Sequence, residues 1–421
     1  MRTALERRAR LLGPHMTTFY DTPVHVARGE GVWLWDTDGR KYLDCYNNVP
    51  HVGHCNPRVV EAIATQAAQL NTHTRYVHDL ILDYGEALTS KFDHDLESLL
   101  MVCSGSEAND VALRMAQAMT GNTGIIGTDD TYHGNTSAVS QLNSSKTPVG
   151  GYLPHVRQVP APDNMAPLGG DRTKQAEAFA QDVEQAVAKL QASGHGISAL
   201  ILCPYFANEG FPTLERGFLD RAIGAVRNAG GLIIADEVQP GFGRIGSHWW
   251  GHERLGFAPD IVTLGKPMGN GHPVAAVVTR HDILTCFQEA FRYFNTFGGN
   301  PVSAAAAMAV FQVIEDDNLV GNAADVGEYT LNLLRQVQSH RDVIADVRGA
   351  GLFMGVELWR DGAPATALCA RMVNEMRERG VLLHSVGRHD NTLKLRPPCV
   401  FSRENADQLA DVMDQALSVV T

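Results

Sequence analysis

Ile197-Ser-Ala-Leu-Ile-Leu-Cys203, a helical stretch around Gly217 to Ala229, and Gly231-Leu-Ile-Ile-Ala-Asp236 read as one β-α-β unit. Both apolar runs are short and continuous, as for strands buried on two faces, and an intervening helix is what joins parallel neighbours. A further apolar strand, Asp260-Ile-Val-Thr-Leu264, leads directly into Gly265 and Lys266. In open α/β sheets ligands bind beyond the carboxyl ends of the strands, so Asp236 and Lys266 both stand where a site would form.

Outward from this unit the pattern continues. From Leu99 short apolar runs alternate with helices, and Pro57 opens an amphipathic helix through about Leu70. Val24 to Cys45 alternates apolar and polar residues around the turn Asp36-Thr37-Asp38-Gly39, a β-hairpin. After Pro301 come a long Ala-rich helix, a helix ending near Ser339, strands within 347–358 and 392–395, and a last helix from Arg403. A chain of 421 residues exceeds one simple core. The expected fold class is α/β: a large, doubly wound, mostly parallel sheet domain over 56–305, with a smaller α+β domain built from both chain ends, 1–55 and 306–421.

Composition narrows the function classes. Apolar residues are 44% and charged residues 19%, which suits a globular protein. A net charge of −12 repels nucleic acid and anionic membrane on average, so neither is an expected partner. Cys45, Cys55, Cys103, Cys203, Cys286, Cys369 and Cys399 are odd in number and form no C-x-x-C, which argues against a disulfide framework or zinc ribbon and for reduced thiols. The charged stretch Met1 to Arg10 is followed by no apolar segment, and a cytoplasmic protein is expected. His51-Val-Gly-His54-Cys55 lacks the companions of a metal motif, so no metal is expected. Gly241-Phe-Gly-Arg-Ile-Gly246 is formally a dinucleotide fingerprint, but it begins five residues after the strand and opens no evident amphipathic helix.

Four places carry candidate chemistry. Lys266 lies among Gly265, Pro267, Met268, Gly269 and Gly271, a flexible setting short of countercharge that suits an amine attacking an aldehyde; such a lysine taken alone is more often a surface or phosphate-binding one. Asp236 closes an apolar strand, where a carboxylate needs a cation such as a pyridinium nitrogen, or simply caps the next turn. Cys103-Ser-Gly105-Ser106-Glu-Ala-Asn109 opens an amphipathic helix, a phosphate-binding place that is otherwise an N-cap. Tyr132-His133-Gly134 offers an aromatic face for a flat ring, or only packing.

Taken in order and spacing, these residues resemble the class III (ω-) aminotransferases of pyridoxal-phosphate (PLP) fold type I. The resemblance covers nearly the whole chain: Gly31-Val-Trp-Leu-Trp-Asp36, Gly53-His-Cys-Asn-Pro57, Ser104-Gly-Ser-Glu-Ala-Asn109, Tyr132-His-Gly134, Asp236-Glu-Val-Gln239, Gly265-Lys266 and Phe297-Gly-Gly-Asn-Pro301. It implies that Lys266 carries PLP as a Schiff base, that Asp236 pairs with the ring nitrogen, and that His133 is among the cofactor-binding residues. It further implies that Val238 and Tyr132 pack on opposite ring faces, that Gly105 and Ser106 bind the phosphate, and that Gln239 lies near the ring hydroxyl. Glu209 matches a glutamate on the substrate side, although in the unusual context Asn208-Glu-Gly-Phe-Pro212. Thr296 is expected to reach the phosphate of a neighbouring subunit, which implies a homodimer with shared active sites, or a tetramer built from it.

The implied activity is transfer of an amino group from an ω-amine or diamino acid to a 2-oxo acid, pyruvate or 2-oxoglutarate, by ping-pong kinetics with Lys266 moving the proton. One departure bears on it. The family's carboxylate-gripping arginine lies on the strand Leu393-Lys394-Leu395-Arg396-Pro397-Pro398, and its position here is Lys394. Lysine does not form the bidentate pair that arginine does, so the grip weakens or moves to Arg396. The ethanolamine-phosphate phospho-lyase branch is similar here and around Asn71-Thr-His-Thr-Arg75, which makes a lyase the alternative activity. Arg75, Lys394 and Arg396 are the candidates for holding a substrate anion.

Overall fold

The computed structural model describes residues 2–93, 95–143 and 146–421. A helix, Arg2–Leu12, comes first, followed by three short strands: β1 (Val26–Glu30), β2 (Trp33–Asp36) and β3 (Lys41–Asp44). The expected turn at Asp36 to Gly39 joins β2 to β3, and Asp36 Oδ1 accepts the backbone N–H groups of Asp38 and Arg40, at 3.0 and 2.9 Å.

The large sheet has seven strands: β4 (Ser98–Val102), β5 (Ile125–Thr128), β6 (Val156–Val159), β7 (Ala199–Leu202), β8 (Leu232–Asp236), β9 (Ile261–Leu264) and β10 (Ala275–Thr279). They lie in the order β4-β10-β9-β8-β7-β5-β6, and only β10 runs antiparallel to its neighbours. Successive residues point to opposite faces. Leu200, Leu202, Ile233, Ala235 and Val262 enter one core, while Ala199, Ile201, Ile234 and Ile261 enter the other. That two-sided burial is why these strands carry no polar alternation.

The helix expected around Gly217 starts later, at Asp220, because Gly217 adopts φ +87° and turns the chain first. The apolar run at 347–358 is an antiparallel pair, Ile344–Ala350 with Phe353–Arg360, reversing at Gly351 (φ +54°). Strand Thr392–Leu395 pairs with the second of these. Val381 and Leu382 pair in parallel with β3, so a segment near the C-terminus completes the N-terminal sheet. The glycines of 241–246 serve packing: a Cβ on Gly243 would meet Val320 at 2.4 Å and one on Gly246 would meet Ala324 at 2.6 Å.

Candidate active site

Strands β8 and β9 are parallel neighbours with Asp236 opposite Thr263, so Asp236 and Lys266 emerge side by side at their carboxyl ends. Both line a cavity of about 310 Å³ together with Gly105, Ser106, Tyr132, His133, Val238 and Gln239. That volume fits a small ring-bearing ligand.

Asp236 caps the next turn, as one of its two earlier readings has it. Its Oδ1 caps the turn by accepting Val238 N–H at 3.0 Å, while Oδ2 meets His133 Nδ1 at 2.7 Å and accepts Asn109 Nδ2 at 2.9 Å. Asn109 is held in turn by Thr263, whose hydroxyl donates to its Oδ1 at 2.6 Å. The carboxylate is thus fixed in orientation before any ligand arrives. Lys266 is half-buried, and its desolvation is the first cause of its lowered pKa; Arg396 lowers it further, and Asp236 and Cys203 raise it in part. An amine so placed is held toward its neutral, nucleophilic form.

The Gly105–Thr120 helix has Ser104 as its N-cap, accepting Glu107 N–H at 3.2 Å. Ser106 therefore lies in the first turn, and its hydroxyl accepts Asn135 N–H at 3.1 Å. A Cβ on Gly105 would meet Val238 at 3.0 Å, and one on Gly134 would meet Ser106 Cα at 2.6 Å, so the backbone closes tightly around this helix end.

Lys394 and Arg396 sit behind Gln239, outside the cavity lining. Lys394 Nζ donates to Ala207 O at 3.0 Å and to Asn208 Oδ1 and Gln239 Oε1, each at 3.1 Å. Burial and the nearby Arg396 push its pKa well below the usual lysine range. Arg396 donates to Tyr46 O at 2.8 Å and Gln239 Oε1 at 2.6 Å, and its guanidinium carbon lies 4.5 Å from the Tyr46 ring centre. Glu209 also lies behind the wall, accepting the Thr128 hydroxyl at 2.8 Å. Arg75 and Thr296 are exposed and apart from this cavity, with Arg75 lying 3.9 Å over the Phe294 ring. The histidines of the 51–55 stretch diverge: His51 meets Phe242 O at 2.7 Å and His54 meets Asp44 at 2.8 Å.

The cavity adds Val49, Cys203 and His272, which the sequence reading did not single out. Cys203 follows β7 directly, the same kind of strand-end position that drew attention to Asp236. His272 lies in the glycine-rich loop after Lys266 and bonds Ser303 Oγ at 2.9 Å.

The family model described as aminotransferase class-III matches residues 17–417. The chain belongs to this family. A Drosophila melanogaster member named alanine-glyoxylate aminotransferase 2-like is 41% identical, over 97% of this chain and 85% of its own length. A Caenorhabditis elegans member named ethanolamine-phosphate phospho-lyase homolog 1 is 36% identical, over 99% and 93%. Among solved structures, a phospholyase from Arthrobacter in complex with phosphoethanolamine is 44% identical with a TM-score of 0.95, covering 99% of both chains. The fold of this class III enzyme is therefore PLP fold type I, its cofactor is PLP, and its substrates are small amines. Among the described residues no helix is long and apolar enough to cross a membrane.

The residues present fit that cofactor. The helix N-terminus closed by Gly105 and Gly134 offers N–H groups to a phosphate, Asp236 is a fixed carboxylate on the cavity wall, and Lys266 is a half-buried amine of lowered pKa among the same lining residues.

Proposed function

We propose that this enzyme is a PLP-dependent phospho-lyase acting on phosphoethanolamine or a similar phosphorylated amine. The observation that carries the reading is the state of Lys394. It stands where transaminase relatives hold an α-carboxylate with arginine, and its Nζ is already engaged by Ala207, Asn208 and Gln239. No fork is left for a 2-oxo acid at that position. The 44% identity to the phospholyase solved with phosphoethanolamine supports the same choice. Transamination with pyruvate or 2-oxoglutarate is the second reading, favoured by Arg396, which brings one guanidinium to this wall, and by the Drosophila relative's name.

In this reading Lys266 is the covalent anchor of the cofactor and the base. Its lowered pKa leaves an amine able to take the proton from the substrate carbon beside nitrogen. PLP, when bound, withdraws the electron pair so released. Asp236 keeps the ring nitrogen protonated, while Gly105 and Ser106 receive the cofactor phosphate, and Tyr132 and Val238 cover the ring faces. Lys394 and Arg396 both donate to Gln239 Oε1, so the Gln239 amide nitrogen is the atom left for the ring hydroxyl. The bond from the second carbon to the phosphate oxygen then breaks with its electron pair on phosphate, and water replaces nitrogen. Phosphoethanolamine and water thus give acetaldehyde, ammonia and phosphate, with no 2-oxo acid consumed.

A homodimer with shared sites accompanies the proposal. Thr296 and Arg75 lie on a face where Tyr76, Val77 and Phe297 are 66%, 89% and 70% exposed, an apolar surface suited to a second copy. The test is phosphate release from phosphoethanolamine without an added 2-oxo acid, in wild type and Lys266→Ala. Release in wild type alone supports the lyase; amine-dependent loss of the visible cofactor band, restored by pyruvate, supports the transaminase.

A further inference from the structure

Asn270 closes the loop that carries Lys266. Its own N–H donates to Pro267 O at 3.1 Å, and its backbone takes φ +49° and ψ +39°, a left-handed turn in which glycine costs least. Gly269 and Gly271 flank it, yet the position between them carries an amide. That side chain reaches the N-terminal segment: Oδ1 accepts Val52 N–H at 2.9 Å and Nδ2 donates to Gly53 O at 2.8 Å. These partners fix which way the amide points, because a backbone N–H only donates and a carbonyl only accepts.

Both partners belong to one tight turn. Gly53, at φ +96°, donates its N–H to Pro50 O at 2.9 Å, and Pro50 through Gly53 are all buried. Backbone groups so buried are costly to leave unpaired. The turn follows Val49, which lines the cavity together with Lys266, and His51 N–H reaches back to Val49 O at 2.8 Å. On other sides His51 O accepts Cys399 N–H at 2.7 Å and His51 Nε2 meets Phe242 O at 2.7 Å. Among the described residues, the Asn270 amide alone hydrogen-bonds this turn to the loop of Lys266.

We propose that Asn270 is a positioning residue for the amine substrate: it docks the Pro50–Gly53 turn on the Lys266 loop and so sets how far the Val49 wall stands from the lysine. The residues offered to the cofactor, Gly105, Ser106 and Asp236, stand on other elements, so displacing this wall changes the space for the amine and leaves the cofactor held. The inference rests on the reading that Lys266 carries the cofactor, and not on which of the two reactions follows.

The test uses the cofactor-loaded enzyme. Asn270→Gly keeps the backbone conformation and removes the amide, while Asn270→Asp keeps the acceptor for Val52 and sets a carboxylate oxygen against Gly53 O. Hydrogen exchange over residues 47–54 is expected to quicken by about fivefold or more in Asn270→Gly, with strand Leu232–Asp236 unchanged. KM for the amine is expected to rise by about fivefold or more in both variants, with the visible band and PLP affinity retained. Phosphoethanolamine and β-alanine are the probe amines, one for each reaction; a wild type that turns over only β-alanine refutes the lyase and leaves this comparison standing. Val49→Ala gives a readout that a merely structural role would not move: its effect on KM is expected to be smaller in the Asn270→Gly chain than in wild type. Additive effects, unchanged exchange at 47–54, or a loss of PLP affinity as large as the rise in KM overturns the proposal. A visible band that persists in Lys266→Ala sinks the underlying reading by itself, whatever Asn270 shows.

Discussion

Lys394 and Arg396 share one acceptor, Gln239 Oε1, at 3.1 and 2.6 Å. Burial first, then the Arg396 guanidinium, lowers the Lys394 pKa, while burial first, then Arg244, lowers that of Arg396. The same carbonyl oxygen thus fixes both side chains and the orientation of the amide proposed to face the cofactor ring.

Gln239→Leu removes that acceptor and leaves two buried donors short of a partner. Chemical denaturation is expected to show a loss of about 2–4 kcal/mol. Gln239→Glu places a carboxylate between the cations and is expected to retain wild-type stability or exceed it. Equal losses in both variants would mean that the shared oxygen is not what holds the pair.

Arg396→Gln tests what the guanidinium behind Gln239 does. A hydrogen bond from a charged group is worth about 1.5–3 kcal/mol, so loosening the Gln239 amide is expected to weaken PLP affinity, read by fluorescence titration, by about tenfold or more. KM for phosphoethanolamine should change far less, because Arg396 lies outside the cavity lining. A rise in KM at unchanged PLP affinity would instead place Arg396 on the substrate anion.

Gly105→Ala tests the phosphate cradle. The added methyl would stand 3.0 and 3.1 Å from the Val238 methyl groups, tighter than ordinary contact, at the helix end proposed to receive the cofactor phosphate. PLP affinity is expected to fall by about tenfold, the equivalent of about 1.4 kcal/mol. Val238→Ala in the same chain clears the space and is expected to recover much of the loss. Without recovery, the defect lies in the helix end and not in the collision.

The two residues at the centre of the site were legible because each follows an uninterrupted apolar run, and strand ends in such sheets converge. Asp236 beside Lys266 needed only the β-α-β rhythm. What Lys394 and Glu209 do was not legible, since their partners Ala207, Asn208 and Thr128 lie far from them along the chain or on other elements. The sequence placed both in the binding machinery by alignment of position, while the packing puts both behind the wall. Helix onset at Asp220 instead of Gly217 has a similar origin, because a glycine that turns the chain and one that sits in a helix look alike until φ is known.

His51 makes the fold sensitive to acid. It is fully buried, and burial first, then the Arg244 guanidinium, lowers its pKa from 6.5 to about 3. Between those values the unfolded chain binds a proton that the native chain does not, so stability falls as pH drops through this window. One such group contributes a slope of at most about 1.4 kcal/mol per pH unit. Arg244 NH2 lies 3.1 Å from His51 Nδ1, so protonating the ring would also set two cations face to face. His51→Gln keeps an acceptor for Arg244 and a donor for Phe242 O without the titration. Urea unfolding from about pH 6.5 downward is expected to give this variant a shallower slope than wild type by about one proton. Parallel slopes would assign the acid sensitivity to other groups.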